Sequence, residues 1–230
     1  MTTATKERLA GRRSGRAGRP PRGQAGEVDE RILDAAQKVF LERGFEGASV
    51  DEIAEAARAG KPTIYARFPH KEAIFIAVVE RMVRRRTEIM AAGRVSAEAG
   101  KTIEERLTIF ATLILETALV EETIDLVRAA IAEARRFPGL ASSVHRLIRE
   151  RGAREISELL AELAGSEDMR RLPALARERL PDTARRFAEL VVQPIMMRAL
   201  FGDDLATLRS EIGPHVRQAI DFFLAASWRG

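Results

Sequence analysis

Ser49-Val-Asp-Glu-Ile-Ala-Glu-Ala-Ala-Arg-Ala-Gly-Lys-Pro-Thr-Ile-Tyr-Ala-Arg-Phe68 decides how this chain folds. Read at helical spacing, Val50, Ile53, Ala54 and Ala57 make one short apolar face. Ser49 stands three residues before Glu52, the arrangement in which each side chain caps the other's backbone N–H. Arg58-Ala59-Gly60 then makes a tight turn, and Lys61 to Arg67 a second short helix. Pro62 is tolerated there because the first turn has no intrahelical use for the N–H that proline lacks. Two short helices joined by a tight turn form a helix-turn-helix, whose last helix is placed to enter a major groove.

The surroundings fit that reading. Upstream, Ile32, Ala35, Ala36, Val39 and Phe40 recur at helical spacing from Val28 onward, with Gly44 as a stop signal. Downstream, Phe68-Pro69-His70 ends the third helix, and Ile74, Phe75, Val78, Val79 and Met82 line a longer one from about Lys71. Beyond residue 95 the pattern predicts helices at about 101–119, 121–136, 139–163, 182–201 and 204–227, punctuated by Pro138-Gly139, Gly165 and Leu180-Pro181. No window alternates with period two. The expected fold is all-α, a three-helix head followed by a larger helical domain for effector binding and dimerisation. The expected divisions are a disordered basic arm at 1–26, the head at 27–73 and the larger domain at 74–230.

Composition narrows the function. The 230 residues are 46% hydrophobic and 31% charged, as in ordinary globular proteins, and contain no cysteine. Disulfides, thiolate metal sites and thiol nucleophiles are therefore excluded, and a reducing cytoplasm suits the chain. The best apolar run, Ile109 to Val120, is too short for a membrane span and is interrupted by Glu116. His70, His145 and His215 are too scattered for a metal site, and no cofactor motif is present. There is no Gly-x-Ser-x-Gly elbow, Walker loop or His-Glu-x-x-His, which argues against an enzyme. The net charge of +4 is uneven: residues 1–26 carry seven cations against Glu7, so the rest is slightly acidic. Within 27–73 ten acids face seven bases, yet 58–71 holds four of those bases and no acid. That local excess lies where phosphates would be met.

From Arg31 to Val79, through Ile-Leu-Asp-Ala-Ala-Gln-Lys-Val-Phe-Leu-Glu-Arg-Gly-Phe and Lys-Pro-Thr-Ile-Tyr-Ala-Arg-Phe-Pro-His-Lys-Glu-Ala-Ile, the chain resembles the DNA-binding head of the TetR family of transcriptional regulators. Phe-Pro-Gly-Leu at 137–140, and 187–202, resemble its AefR-type subgroup. The resemblance implies a DNA-binding regulator, a ligand-released repressor, acting as a homodimer on a palindromic double-stranded operator. A DNA-packaging protein without effector is the alternative. It further implies that Lys61, Pro62 and Thr63 meet base edges and backbone, and that Tyr65 reaches a phosphate or a thymine methyl. Lys71 would hold a phosphate, Ser49 would contact one while capping its helix, and Arg67 would join the same surface. Two residues depart from the family pattern. Arg58 stands where glycine is usual, so a left-handed backbone there costs about 1 kcal/mol, though its side chain could add a phosphate contact, and Gly60 replaces a serine cap.

Other residues are candidates on their own chemistry. The predicted helix at 101–119 is apolar over most of its circumference, and Phe110, Thr112 and Ile114 are placed to line an effector cavity within residues 75–180, with Thr112 on a polar stripe that could equally meet solvent. Arg128 needs a counter-charge if buried, and His145 lies mid-helix in the same domain. Arg84, Arg85 and Arg86 read as a solvated helix surface. Phe187, Leu190, Val191, Pro194 and Ile195, with Ile212, Val216, Ile220 and Phe223, line two long helices expected to build the dimer. Pro194 and Gly213-Pro214 should kink them. Arg16, Arg19 and Arg22 lie in a slim Gly- and Pro-rich arm resembling minor-groove hooks, with a solubilising leader as the alternative.

Overall fold

A computed structural model describes residues 22–97, 102–164, 174 and 176–227. Among them every long element is a helix: α1 (Arg22–Gly47), α2 (Val50–Ala56), α3 (Lys61–Tyr65), α4 (Lys71–Ala97), α5 (Ile103–Ala118), α6 (Glu121–Ala132), α7 (Pro138–Ala164), α8 (Leu180–Val191), α9 (Gln193–Phe201) and α10 (Leu205–Ser227). No helix among the described residues is long and apolar enough to cross a membrane. Arg16 and Arg19 lie outside the described residues, whereas Arg22 opens α1, six residues before the predicted start. At Gly44 the backbone is left-handed, at φ 70°, and helical conformation is interrupted at the predicted stop.

The predicted helix at 182–201 is two helices. Proline cannot donate the hydrogen bond that would continue α8, so Pro194 sits in the first turn of α9 instead. At this break the Val191 carbonyl meets His215 Nε2 at 2.8 Å. Gly213-Pro214, by contrast, leaves α10 one continuous helix.

Other helix ends are closed in a similar way. The carbonyls of Phe45, Glu46 and Ala48 at the end of α1 accept from Lys71. Leu119, after α5, accepts from Arg209 at 2.6 Å, and Ala199 and Leu200 in α9 accept from Arg128 at 2.5 and 3.2 Å. Cations are favoured there because the last carbonyls of a helix are unpaired and carry the negative end of its dipole.

Two apolar cores share α4. Ile74, Phe75, Val78, Val79 and Val83 join α1, α2 and α3 in the head core, together with Leu126 and Ala130 of α6 and Leu140 and Val144 of α7. Met90, further along α4, belongs to a second core built by α5, α7, α8, α9 and α10. The head therefore docks on α6 and α7 through apolar surface, and α4 runs unbroken through position 73. Arg81 adds a polar clamp. Fully buried, it donates to Asp34 Oδ1 at 2.7 Å, Gln37 Oε1 at 2.9 Å and the Glu30 carbonyl at 3.2 Å, all on α1.

This packing corrects several expectations. Arg84 and Arg85 are exposed but reach Glu30 at 3.4 Å, and Arg86 is largely buried against Glu155 of α7 at 3.4 Å, so the run is not merely solvated. Phe110 and Ile114 are buried among Leu159, Phe187 and Phe223, which uses up much of the apolar surface of α5. Thr112 is half-buried on the same helix. Arg128 serves the end of α9, and His145 is exposed on α7. A groove of about 690 Å³ lies between α8 and α10, lined in part by Thr183, Arg186, Leu190, Phe222 and Ser227. Phe187, Val191, Ile195, Ile212, Val216, Ile220 and Phe223 belong to the core of a single protomer. The large apolar residues left exposed on α9 and α10 are Met197, Phe201 and Phe222.

Candidate nucleic-acid interface

The head presents α3 to solvent from a rigid seat. Ile64 is fully buried and anchors the helix, which leaves Lys61, Pro62, Tyr65 and Ala66 exposed and Thr63 half-buried. Beneath it, α2 starts with the predicted capping box: Glu52 N donates to Ser49 Oγ at 3.2 Å, and Ser49 N donates to Glu52 Oε2 at 3.0 Å. The Ser49 hydroxyl also donates to Glu52 at 2.9 Å. The two bonds from Ser49 hold the Glu52 carboxyl below its usual pKa and commit both protons that Ser49 could give a phosphate.

The turn between the two helices is a Schellman motif. Ala59 N donates to the Ala54 carbonyl and Arg58 N to the Glu55 carbonyl, both at 3.0 Å. It requires a left-handed residue after the cap, and Arg58 adopts φ 49°. Arg58→Gly should therefore raise stability by about 1 kcal/mol. That corresponds to about 2–4 °C in Tm for a chain of this size, read by thermal melting at fixed protein concentration. An unchanged or lower Tm would mean that Arg58 bears no strain. The Arg58 side chain is exposed and has no partner among the described residues.

The other three cations of residues 58–71 have internal partners. Arg67 is bonded through Nε to Asp29 and through Nη1 to the Thr63 carbonyl at 3.2 Å, tying α3 to α1. Lys71 donates at 2.7, 2.9 and 3.2 Å to three carbonyls of the α1–α2 connection and lies 4.6 Å from the centre of the Phe45 ring. All three of its protons are used, so in this conformation none is left for a phosphate. Lys61 Nζ stands 2.7 Å from Asp51 Oδ1, which raises its pKa above the usual value. Asp29, Asp51 and Arg81 are missing from the residues expected by sequence. Each meets its partner only after folding, and no spacing marks such a pair.

Phe45 joins this head to the rest of the molecule. It lies 5.2 Å from Phe137 in an edge-to-face contact, while Arg136 beside it pairs with Glu46. The Phe-Pro-Gly-Leu corner is thus the seat of the head.

Comparison with known proteins adds an independent line. The family model described as bacterial regulatory proteins, tetR family, matches residues 32–78. The one described as AefR-like transcriptional repressor, C-terminal domain, matches residues 105–226, more than half of the chain. A solved TetR-family transcriptional regulator from Mesorhizobium loti MAFF303099 has a TM-score of 0.69 at 24% identity, covering 88% of this chain and 98% of that one. The flavonoid-responsive regulator FrrA has a TM-score of 0.63 at 29% identity, covering 87% and 97%. The transcriptional activator FasR of Mycolicibacterium smegmatis is 41% identical over 29% of this chain and 32% of its own length. The chain spans only 25–37% of the length of the first curated relatives it matches.

Proposed function

Because the chain belongs to the TetR family of bacterial transcriptional regulators, with an AefR-like C-terminal domain, we propose that it binds a palindromic DNA operator as a homodimer and leaves it when a small molecule binds the helical body. The observation that carries this reading is the exposed face of α3, held by buried Ile64 against a capped α2. Lys61, Pro62, Thr63 and Tyr65 then meet the major groove, and Arg58 adds a phosphate contact beside them. Ser49, Arg67 and Lys71 act by shaping the head. The C-terminal match favours repression as the sign. The dimer buries Met197, Phe201 and Phe222, apolar groups the protomer leaves in water.

Release works by population shift. An effector that binds better to a widened dimer draws the two recognition helices off the separation of successive major grooves, about 34–36 Å. The load passes through α4, which holds the head at one end. Further along, Arg86 and Thr87 of α4 grip the buried Glu155 of α7.

Selection from a pool of random duplexes tests the reading. The protein should enrich a two-fold symmetric sequence, and Tyr65→Ala should weaken binding to it about tenfold with its melting temperature unchanged, since the ring is 49% exposed. Enrichment of no sequence would sink the proposal.

A further inference from the structure

We propose that Asp51 is a specificity-determining residue of the reading head: joined to Lys61, it withholds that cation from phosphate and turns the pair toward base edges that offer both an acceptor and an amino donor. This rests on the DNA-binding reading above. The two residues are ten apart in sequence, Asp51 in the first turn of α2 and Lys61 opening α3. The pair spans the turn at 2.7 Å, with Asp51 66% and Lys61 53% exposed, so both remain open to a ligand. Neighbouring Glu52 is committed to Ser49. The Arg58 side chain has no partner among the described residues and stays free to serve a phosphate.

The asymmetry between backbone and bases gives the pair its effect. Phosphate oxygens only accept hydrogen bonds, so a phosphate that satisfies Lys61 repels Asp51. A neutral Lys–Asp pair also releases few counterions, and counterion release supplies nearly all of the affinity for random DNA. In the major groove guanine O6 and N7 accept from lysine, while cytosine N4 donates to a carboxylate. A sequence that presents both within reach satisfies both members without breaking the pair. Asp51 thus costs binding at random sites and keeps it at matched ones.

The test is Asp51→Ala, with Asp51→Ser as a second variant suited to the first turn of a helix. Both are first checked by thermal melting. Affinity for a fixed random duplex is then measured against salt concentration, alongside selection from a random pool. Each head should release one cation of exposed-salt-bridge strength, so random-duplex affinity should rise roughly tenfold for the dimer. The log–log salt slope should steepen by about 0.9 per head. The selected sequence should lose its preference at one base pair per half-site. In a Lys61→Met background the gain in random-duplex affinity should vanish, because the released cation is gone.

An unchanged salt slope together with an unchanged selected sequence overturns the inference. So does a gain that persists in the Lys61→Met background, or an equal rise on random and selected DNA. If the unmodified protein enriches no sequence, the DNA-binding reading fails and this inference with it. If it enriches a palindrome that Asp51→Ala leaves intact, only the inference fails.

Discussion

Phe45→Ala is expected to destabilise the protein by about 3–5 kcal/mol, the usual loss when a fully buried phenylalanine is truncated. The ring is 1% exposed. It lies 6.0 Å from Phe40 of α1, 5.4 Å from Phe75 of α4 and 5.2 Å from Phe137, just before α7. Alanine would leave a cavity that these rigid rings cannot readily fill, and would remove edge-to-face contacts worth about 0.5–1.5 kcal/mol each beyond area burial. Urea denaturation followed by circular dichroism, at fixed protein concentration, measures the loss. A cost under 1 kcal/mol would show that the cluster collapses around the gap. Because Phe137 immediately precedes α7, the same substitution also loosens the head from the body.

Lys71→Met should cost about 2–3 kcal/mol, far more than the half kilocalorie usual for a surface lysine. Methionine keeps the apolar stem over Phe45. It removes three charge-assisted bonds to the carbonyls of Phe45, Glu46 and Ala48, which lie where α1 ends and α2 begins. Left without them, the connection loses the tie that sets the angle of α2, and with it the seat of α3. The salt dependence of DNA binding separates this role from the one implied by family resemblance. A lysine on phosphate would remove about 0.9 from the slope for each head when replaced. Here the slope should stay as it was while stability falls. A lower slope at full stability would restore Lys71 to the phosphate.

The local code was enough to set the helices of the head. Ser49 and Glu52 three residues apart, Pro62 in a first turn and Gly44 as a stop act through the nearest backbone groups, so they read directly from the chain. The same holds for the outward face of Tyr65, which follows from buried Ile64 beside it, whereas the left-handed Arg58 was expected only through the glycine usual at that position in the family it resembles. What each polar side chain does was a tertiary decision. Lys61, Arg67 and Lys71 look alike in sequence, as cations near a recognition helix. Folding gives them a carboxylate, a carboxylate with a carbonyl, and three carbonyls. The long apolar helices of the body carried a similar ambiguity. Periodicity tells that Phe110, Phe187 and Phe223 are covered, but not whether by one another, by a ligand or by a second chain. Hydrophobic burial has no direction, and only packing chooses the partner. Here α5, α7, α8 and α10 choose each other. Met197, Phe201 and Phe222 stay outside because their helices' other faces already fill the core.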